Sequence, residues 1–341
     1  TGADTRGGGG TRMINLQNAS RWYGQVLGIN DISCAIEPGI TALLGPNGAG
    51  KSTMLKLVTG QLRPTTGCVT VFEERPFANP RVFRRMGYTP EMENSYDDLT
   101  GYEYVDYLAT LSGVPKTQRK TAVESAIERV VMTANMHRKI GGYSKGMRQR
   151  IKVAQAIVHE PELLILDEPL NGLDPVGRHE VSTLLHDYGR EGRTVLVSSH
   201  ILYEVEQLTQ RILLLNHGRL LAQGSIRQIR DLIDAHPHRI EITSTDARSL
   251  ARDLMGLPYI LSARLDGPSA TKVEVETRAP EMFYSTLPEI ALSNGYRITA
   301  FSSPDNNLEA VFRYLVTDKP AQPKNHLVFA PAETAGEEEQ P

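Results

Sequence analysis

The chain has 341 residues, enough for two domains that each bury a core. Hydrophobic residues at 40% and charged residues at 23% describe an ordinary soluble protein, and a net charge of −3 without a long basic block gives no sign of a nucleic-acid partner. No run of about 18 apolar residues is present, so no transmembrane helix is expected.

Residues 1–12, with four consecutive glycines, read as a flexible leader, and Met13 as a natural start. Cys34 and Cys68 lie in apolar, strand-like runs without metal-ligand spacing, which suggests buried thiols in a reducing compartment. The run Ile40-Thr41-Ala42-Leu43-Leu44 predicts a buried strand, and Ser52 to Gly60 a short helix ending in a glycine. Between them, Gly45-Pro46-Asn47-Gly48-Ala49-Gly50-Lys51-Ser52-Thr53 fits the phosphate-loop pattern G-x-x-x-x-G-K-[S/T]. A strand, a glycine-rich turn and a helix N-terminus make an anion site: backbone N–H groups converge there and the helix dipole adds partial positive charge. In that pattern Lys51 reaches the β- and γ-phosphates and Ser52 holds Mg²⁺.

Leu163-Leu164-Ile165-Leu166 is a fully apolar run ending in Asp167-Glu168-Pro169. In a phosphate-loop fold such a strand is expected beside the phosphate-loop strand, delivering an acid to Mg²⁺, and Asp167 is the first polar residue at its C-terminal end. Glu168, one residue on, is expected to leave from the opposite face of the pleat and to accept a proton from an attacking water. Thr194 to Ser199 predicts a third strand, and His200 at its end stands where a γ-phosphate or that water could be sensed.

Farther along, His236 and His238 flank a proline in a linker-like stretch and make no metal site. Residues 236–317 then read as a small α+β unit: strands at 239–243, 259–265, 272–276 and 297–301, and helices at 246–255, 280–293 and 307–316. That β-α-β-β-α-β order is ferredoxin-like, and the unit carries no nucleophile or ligand set. Residues 318–341, rich in Pro, Ala and Glu, read as a disordered tail.

The phosphate loop, the acidic pair Asp167-Glu168 and His200 together resemble the ATP-binding cassette (ABC) ATPases. Tyr143-Ser144-Lys145-Gly146-Met147-Arg148-Gln149-Arg150 stands where that family has its Leu-Ser-Gly-Gly-Gln signature. Ser144 and Gly146 match, while Tyr143, Lys145 and Met147 depart in a manner that resembles the ABC-2 type exporter branch. The resemblance implies an α/β fold, a phosphate-loop NTPase cassette over 13–235 with a mixed central sheet and a helical subdomain at about 92–158. It further implies ATP and Mg²⁺ as ligands, with Gly45, Asn47, Gly48, Gly50, Lys51, Ser52 and Thr53 around the phosphates. Tyr23 would stack on adenine, with Trp22 as the alternative. Glu91 would take the place of the Q-loop glutamine beside the metal, with Ser52 and Asp167. Glu168 and His200 would be catalytic. Ser144, Gly146 and the D-loop residue Asp174 would act on nucleotide held by a second cassette.

Its functional implication is an ATP-hydrolysing transporter subunit, peripheral on the cytoplasmic face of the inner membrane. Such a subunit pairs with a second cassette in a homodimer and drives a separate membrane permease, in the direction of export. The permease would dock on the helical subdomain, with Tyr96 and Tyr102 as contacts, while Tyr104, Leu108 and Leu111 follow the spacing of a core stripe. A weakly hydrolytic regulatory cassette and a soluble non-transport cassette ATPase are the alternatives. A DNA-repair type of cassette is excluded, because Lys51 and Asp167 lie too close for a long coiled coil between them.

Overall fold

The computed structural model describes residues 13–91, 96–225, 237–265, 267, 270–303 and the backbone of 327–328. The chain divides between Ser225 and Ile226 into two compact units, with Leu327 and Val328 belonging to the first.

The first unit opens with strands β1 (Ile14–Tyr23) and β2 (Val26–Ile36), joined by a tight turn. Strand β3 (Gly39–Leu44), helix α1 (Lys51–Val58), strand β4 (Thr66–Val71), a short helix α2 (Pro80–Phe83) and strand β5 (Met86–Thr89) follow. Helices α3 (Gly101–Leu111), α4 (Lys116–Arg129) and α5 (Lys145–Ile157) form the helical subdomain. The chain then alternates β6 (Leu163–Asp167), α6 (Pro175–Arg190), β7 (Thr194–Ser199) and α7 (Leu202–Leu208), and ends the unit with β8 (Arg211–Asn216) and β9 (Arg219–Ser225).

These strands build two sheets: an antiparallel β2-β1-β4, and a seven-stranded sheet in the order β14-β9-β8-β3-β7-β6-β5, where β14 is Leu327–Val328. Strands β8, β3, β7, β6 and β5 are parallel to their neighbours in turn, and β9 is antiparallel to β8. Period-2 alternation explains why β6 and β7 are buried throughout and apolar except near their ends. Leu163, Ile165 and Leu196 enter the core shared with α1 and the antiparallel sheet, whereas Leu164, Leu166, Val195 and Val197 enter the core shared with the helical subdomain and α6. A sheet covered on both faces has no side on which a polar residue is cheap.

The expectations for strand order and for the cysteines in this unit need correction. The strand carrying Asp167 is not beside the phosphate-loop strand, since β7 lies between β3 and β6. Chain order does not fix spatial order, and the helical crossover α6 lets the later strand take the central place. The cysteines also differ: Cys34 is buried, and its burial pushes the thiol up to about 12, but Cys68 is only half-buried.

Helix α3 starts at a capping box in which the Thr100 hydroxyl accepts from Glu103 N and the Glu103 carboxylate accepts from Thr100 N. Tyr104 and Val105 then point into the core of the helical subdomain. The stripe expected from spacing holds for Tyr104 and for the half-buried Leu108, but Leu111, the last residue of the helix, is 66% exposed. Tyr96 and Tyr102, expected as docking contacts, are half-buried against the subdomain core, with rings 5.1 Å from Tyr104 and 5.8 Å from His137. The exposed apolar groups of this helix are Tyr107 and Leu111.

The second unit has strands β10 (His238–Ser244), β11 (Ile260–Leu265), β12 (Lys272–Thr277) and β13 (Ile298–Ser302), with helices α8 (Ala247–Leu254) and α9 (Pro280–Asn294) between them. Its sheet order β11-β12-β10-β13, antiparallel throughout, is that of a ferredoxin-like fold. Ile240, Ile242, Val273 and Val275 alternate onto one face and meet Leu250, Leu254, Phe283 and Leu287 of the two helices. The helix expected at 307–316 and the His236 side of the linker lie outside the described residues.

Candidate nucleotide site

The carboxyl ends of β3, β7 and β6 are level: Leu44 pairs with Ser199, and Asp167 with Ser198. Residues that follow these ends therefore converge on one edge of the sheet, where open α/β sheets carry their ligands. A cavity of about 420 Å³ opens there, lined by Tyr23, the 46–53 loop, Glu91, Asp167 and Glu168.

The loop takes its form from glycines. Gly50 stands at φ +104°, and a Cβ there would fall 2.6 Å from the Gly28 carbonyl oxygen, so no other residue fits. Lys51 starts α1 and is 93% buried, with its ammonium donating to Gly45 O at 2.7 Å and lying 3.4 Å from Glu168 Oε1. The second oxygen of Glu168, Oε2, accepts from His200 Nδ1 at 3.0 Å. A carboxylate only accepts, so this contact places the proton on Nδ1 of His200.

Glu168 does not sit on the pleat face opposite Asp167, as strand alternation would have it. The strand ends at Asp167, and Glu168 takes a left-handed backbone at φ +51°, which turns its carboxylate into the same cavity. Three hydrogen bonds hold this uncommon conformation. Glu168 N donates to Ser198 Oγ at 2.9 Å, and Glu168 O accepts from Asn171 N at 3.2 Å and from Gln149 Nε2 at 3.3 Å. The Ser198 hydroxyl in turn donates to Asp167 Oδ1, so one side chain on β7 orients both acids. Ser198 is a site residue that the sequence reading missed. Its signal was the pair Ser198-Ser199 closing an apolar stretch just before His200.

Ser52 and Thr53 line the cavity, and Thr53 Oγ1 is 3.4 Å from the Tyr23 hydroxyl. Tyr23 is 41% exposed at the mouth with the Arg21 guanidinium over its ring at 5.2 Å, while Trp22, equally exposed, does not line the cavity. Among the described residues, no cluster of three His, Cys, Asp or Glu side chains could hold a metal alone. Ser52, Asp167 and Glu91 instead offer a hydroxyl and carboxylates around open space. That set suits Mg²⁺, which is usually bound through one or two carboxylates together with substrate phosphates and water.

Ser144, Gly146 and Asp174 do not join this cavity. They line a second one with Lys145, Met147, Arg150 and Gly172. Ser144 caps α5 by accepting from Met147 N at 3.2 Å, and Asp174 caps α6 by accepting from Gly177 N at 2.8 Å. Two helix N-termini, each with orphan N–H groups, thus face one crevice. Tyr143 is buried and donates its hydroxyl to Asn135 O at 2.7 Å, which ties the turn before α5 into the helical subdomain.

A family model described as ABC transporter matches residues 29–171. The bacitracin transport ATP-binding protein BcrA of Enterococcus faecalis is 38% identical over 310 residues, which cover 89% of this chain and 96% of BcrA. An uncharacterized ABC transporter ATP-binding protein of Synechocystis sp. is 38% identical over 212 residues, or 61% of this chain and 60% of that protein. Among solved structures, a dimeric bacterial ABC transporter cassette superposes with a TM-score of 0.59 at 22% identity, covering 63% of this chain and 99% of the cassette.

Proposed function

The chain belongs to the ABC transporter ATP-binding proteins, ATPase subunits that power a transporter, and from that premise we propose that two copies of it close on two ATP molecules. One observation carries this reading: Lys51, Ser52, Asp167 and Glu168 share one cavity, with His200 hydrogen-bonded to Glu168, while Ser144 and Asp174 line another. A single chain is therefore short of half its donors. A second chain placed head to tail would set its Ser144 and helix N-terminus against the γ-phosphate.

In this reading Tyr23 supports the adenine, and Gly45, Asn47, Gly48, Gly50 and Thr53 shape the phosphate cradle. Lys51 begins paired to Glu168 and Gly45 O. The triphosphate offers its ammonium more negative charge than a single carboxylate does, so substrate draws Lys51 away and frees Oε1 of Glu168 to accept a proton from water. His200 keeps hold of Oε2 and fixes the direction of the remaining lone pairs. Mg²⁺, held by Ser52 and Asp167 with Glu91 beside them, supplies charge neutralisation at the phosphates when bound.

The chemistry is thus ATP hydrolysis, and the mechanical output is association and separation of cassettes. Among the described residues no helix is long and apolar enough to cross a membrane, which fits a subunit held at the cytoplasmic face of the inner membrane by a separate permease. BcrA is named for bacitracin transport, and export as the direction is inferred from the likeness of the Tyr143–Arg150 stretch to the ABC-2 type exporter branch.

Phosphate release from Mg-ATP tests the assignment. Lys51→Ala is expected to fall to background, a loss of at least about a hundredfold for a cation facing the transferred phosphoryl group. An unchanged rate would mean that ATP is held elsewhere.

A further inference from the structure

Lys145 is unexplained by its own helix. It occupies the first position of α5, the positive end of the dipole, where a cation is disfavoured. Its surroundings supply the reason. Gly172 stands at φ +79°, and the Lys145 stem lies across it: a Cβ on Gly172 would fall 2.5 Å from Lys145 Cδ and 2.6 Å from Cε. The ammonium at the end of that stem donates to Asn171 Oδ1 at 3.3 Å.

One turn later on the same helix face, buried Gln149 donates to the Glu168 carbonyl at 3.3 Å, and Asn171 N donates to that same carbonyl at 3.2 Å. Arg150, beside Gln149, pairs with Glu180 at 2.7 Å and lies 3.9 Å from Asp174. Helix α5 therefore grips the whole segment from Glu168 to Asp174, with Lys145 at its outer end.

We propose that Lys145 is a positioning residue that clamps the Asn171–Asp174 loop to the signature helix of the same chain. The clamp couples the element a chain lends to its partner's nucleotide to the backbone of its own Glu168. The inference rests on the two-cassette reading above and adds a route by which one nucleotide site informs the other. A glycine at 145, as in the family signature, would leave Gly172 uncovered and Asn171 without this donor.

The test is steady-state ATPase of the full chain against ATP concentration, for Lys145→Gly, Lys145→Met, Lys145→Arg and Asn171→Ala. Lys145→Gly is expected to lower kcat roughly three- to tenfold and to reduce the Hill coefficient, the size of effect typical of a contact that biases a two-state element. KM should stay within about twofold, and Lys145→Arg should restore kcat. Lys145→Met and Asn171→Ala should each show part of the loss, and the double variant no more than the larger single loss. An unchanged kcat and Hill coefficient in Lys145→Gly overturns the clamp. So does a rise in KM for Lys145→Met with Asn171→Ala silent, because the ammonium would then contact nucleotide directly. Lys51→Ala is run alongside: if it retains activity, the nucleotide-site reading itself fails and the clamp with it.

Discussion

At the residue scale, the site turns on side chains whose partners are already chosen. Glu168 has one oxygen toward Lys51 and the other on His200, and its backbone is pinned by Ser198, Asn171 and Gln149. The acid pair was legible in the sequence because a fully apolar strand must stop where polar groups begin. Its geometry was not, because a left-handed φ at a non-glycine residue has no local signature and is imposed by hydrogen bonds from another strand and another helix. Glu91 lines the same cavity with a carboxylate. Glu91→Gln is expected to raise the Mg²⁺ concentration for half-maximal ATPase, by roughly thirtyfold at most, since a unit charge about 4 Å from a divalent ion in water is worth about 2 kcal/mol. Titration of the rate with Mg²⁺ at saturating ATP measures this, and an unshifted midpoint would remove Glu91 from the metal's surroundings.

At the element scale, helix α5 holds the nucleotide cavity and the crevice at Ser144 in register. Its Ser144 cap faces one of them, and its Gln149 reaches the carbonyl of the acid in the other. Tyr143 anchors the cap from below, and burial pushes its phenol up. Tyr143→Phe, which leaves the Asn135 carbonyl without this donor, is expected to cost about 1 kcal/mol in urea unfolding. A neutral substitution would show that water replaces the bond freely. The order of elements could be read from the chain, since apolar runs and capping residues are local. Neighbour relations could not: β7 intervenes between β3 and β6, and it is that intervening strand that brings Ser198 and His200 to the two acids. Likewise helical spacing alone marked Leu111 as core, although the helix stops there and Leu111 has nothing above it to pack on.

At the scale of the whole molecule, each of the two units builds its own core. That of the second unit centres on Phe283, fully buried among Ile240, Ile242, Val273 and Val275. Phe283→Ala is expected to destabilise it by about 3–5 kcal/mol. Hydrogen exchange should then rise across 238–302, with ATP affinity of the first unit unchanged; a parallel loss of ATP binding would contradict the division into two units. The larger claim is that one chain carries two half-sites and that ATP brings two chains together. The direct measurement is the mass of Glu168→Gln in solution by size exclusion with light scattering, with and without Mg-ATP. This variant keeps the cradle and removes the proton acceptor, so the account predicts a monomer that becomes a stable dimer on adding Mg-ATP. A variant that binds ATP yet stays monomeric, or one that hydrolyses ATP at the normal rate, would contradict it.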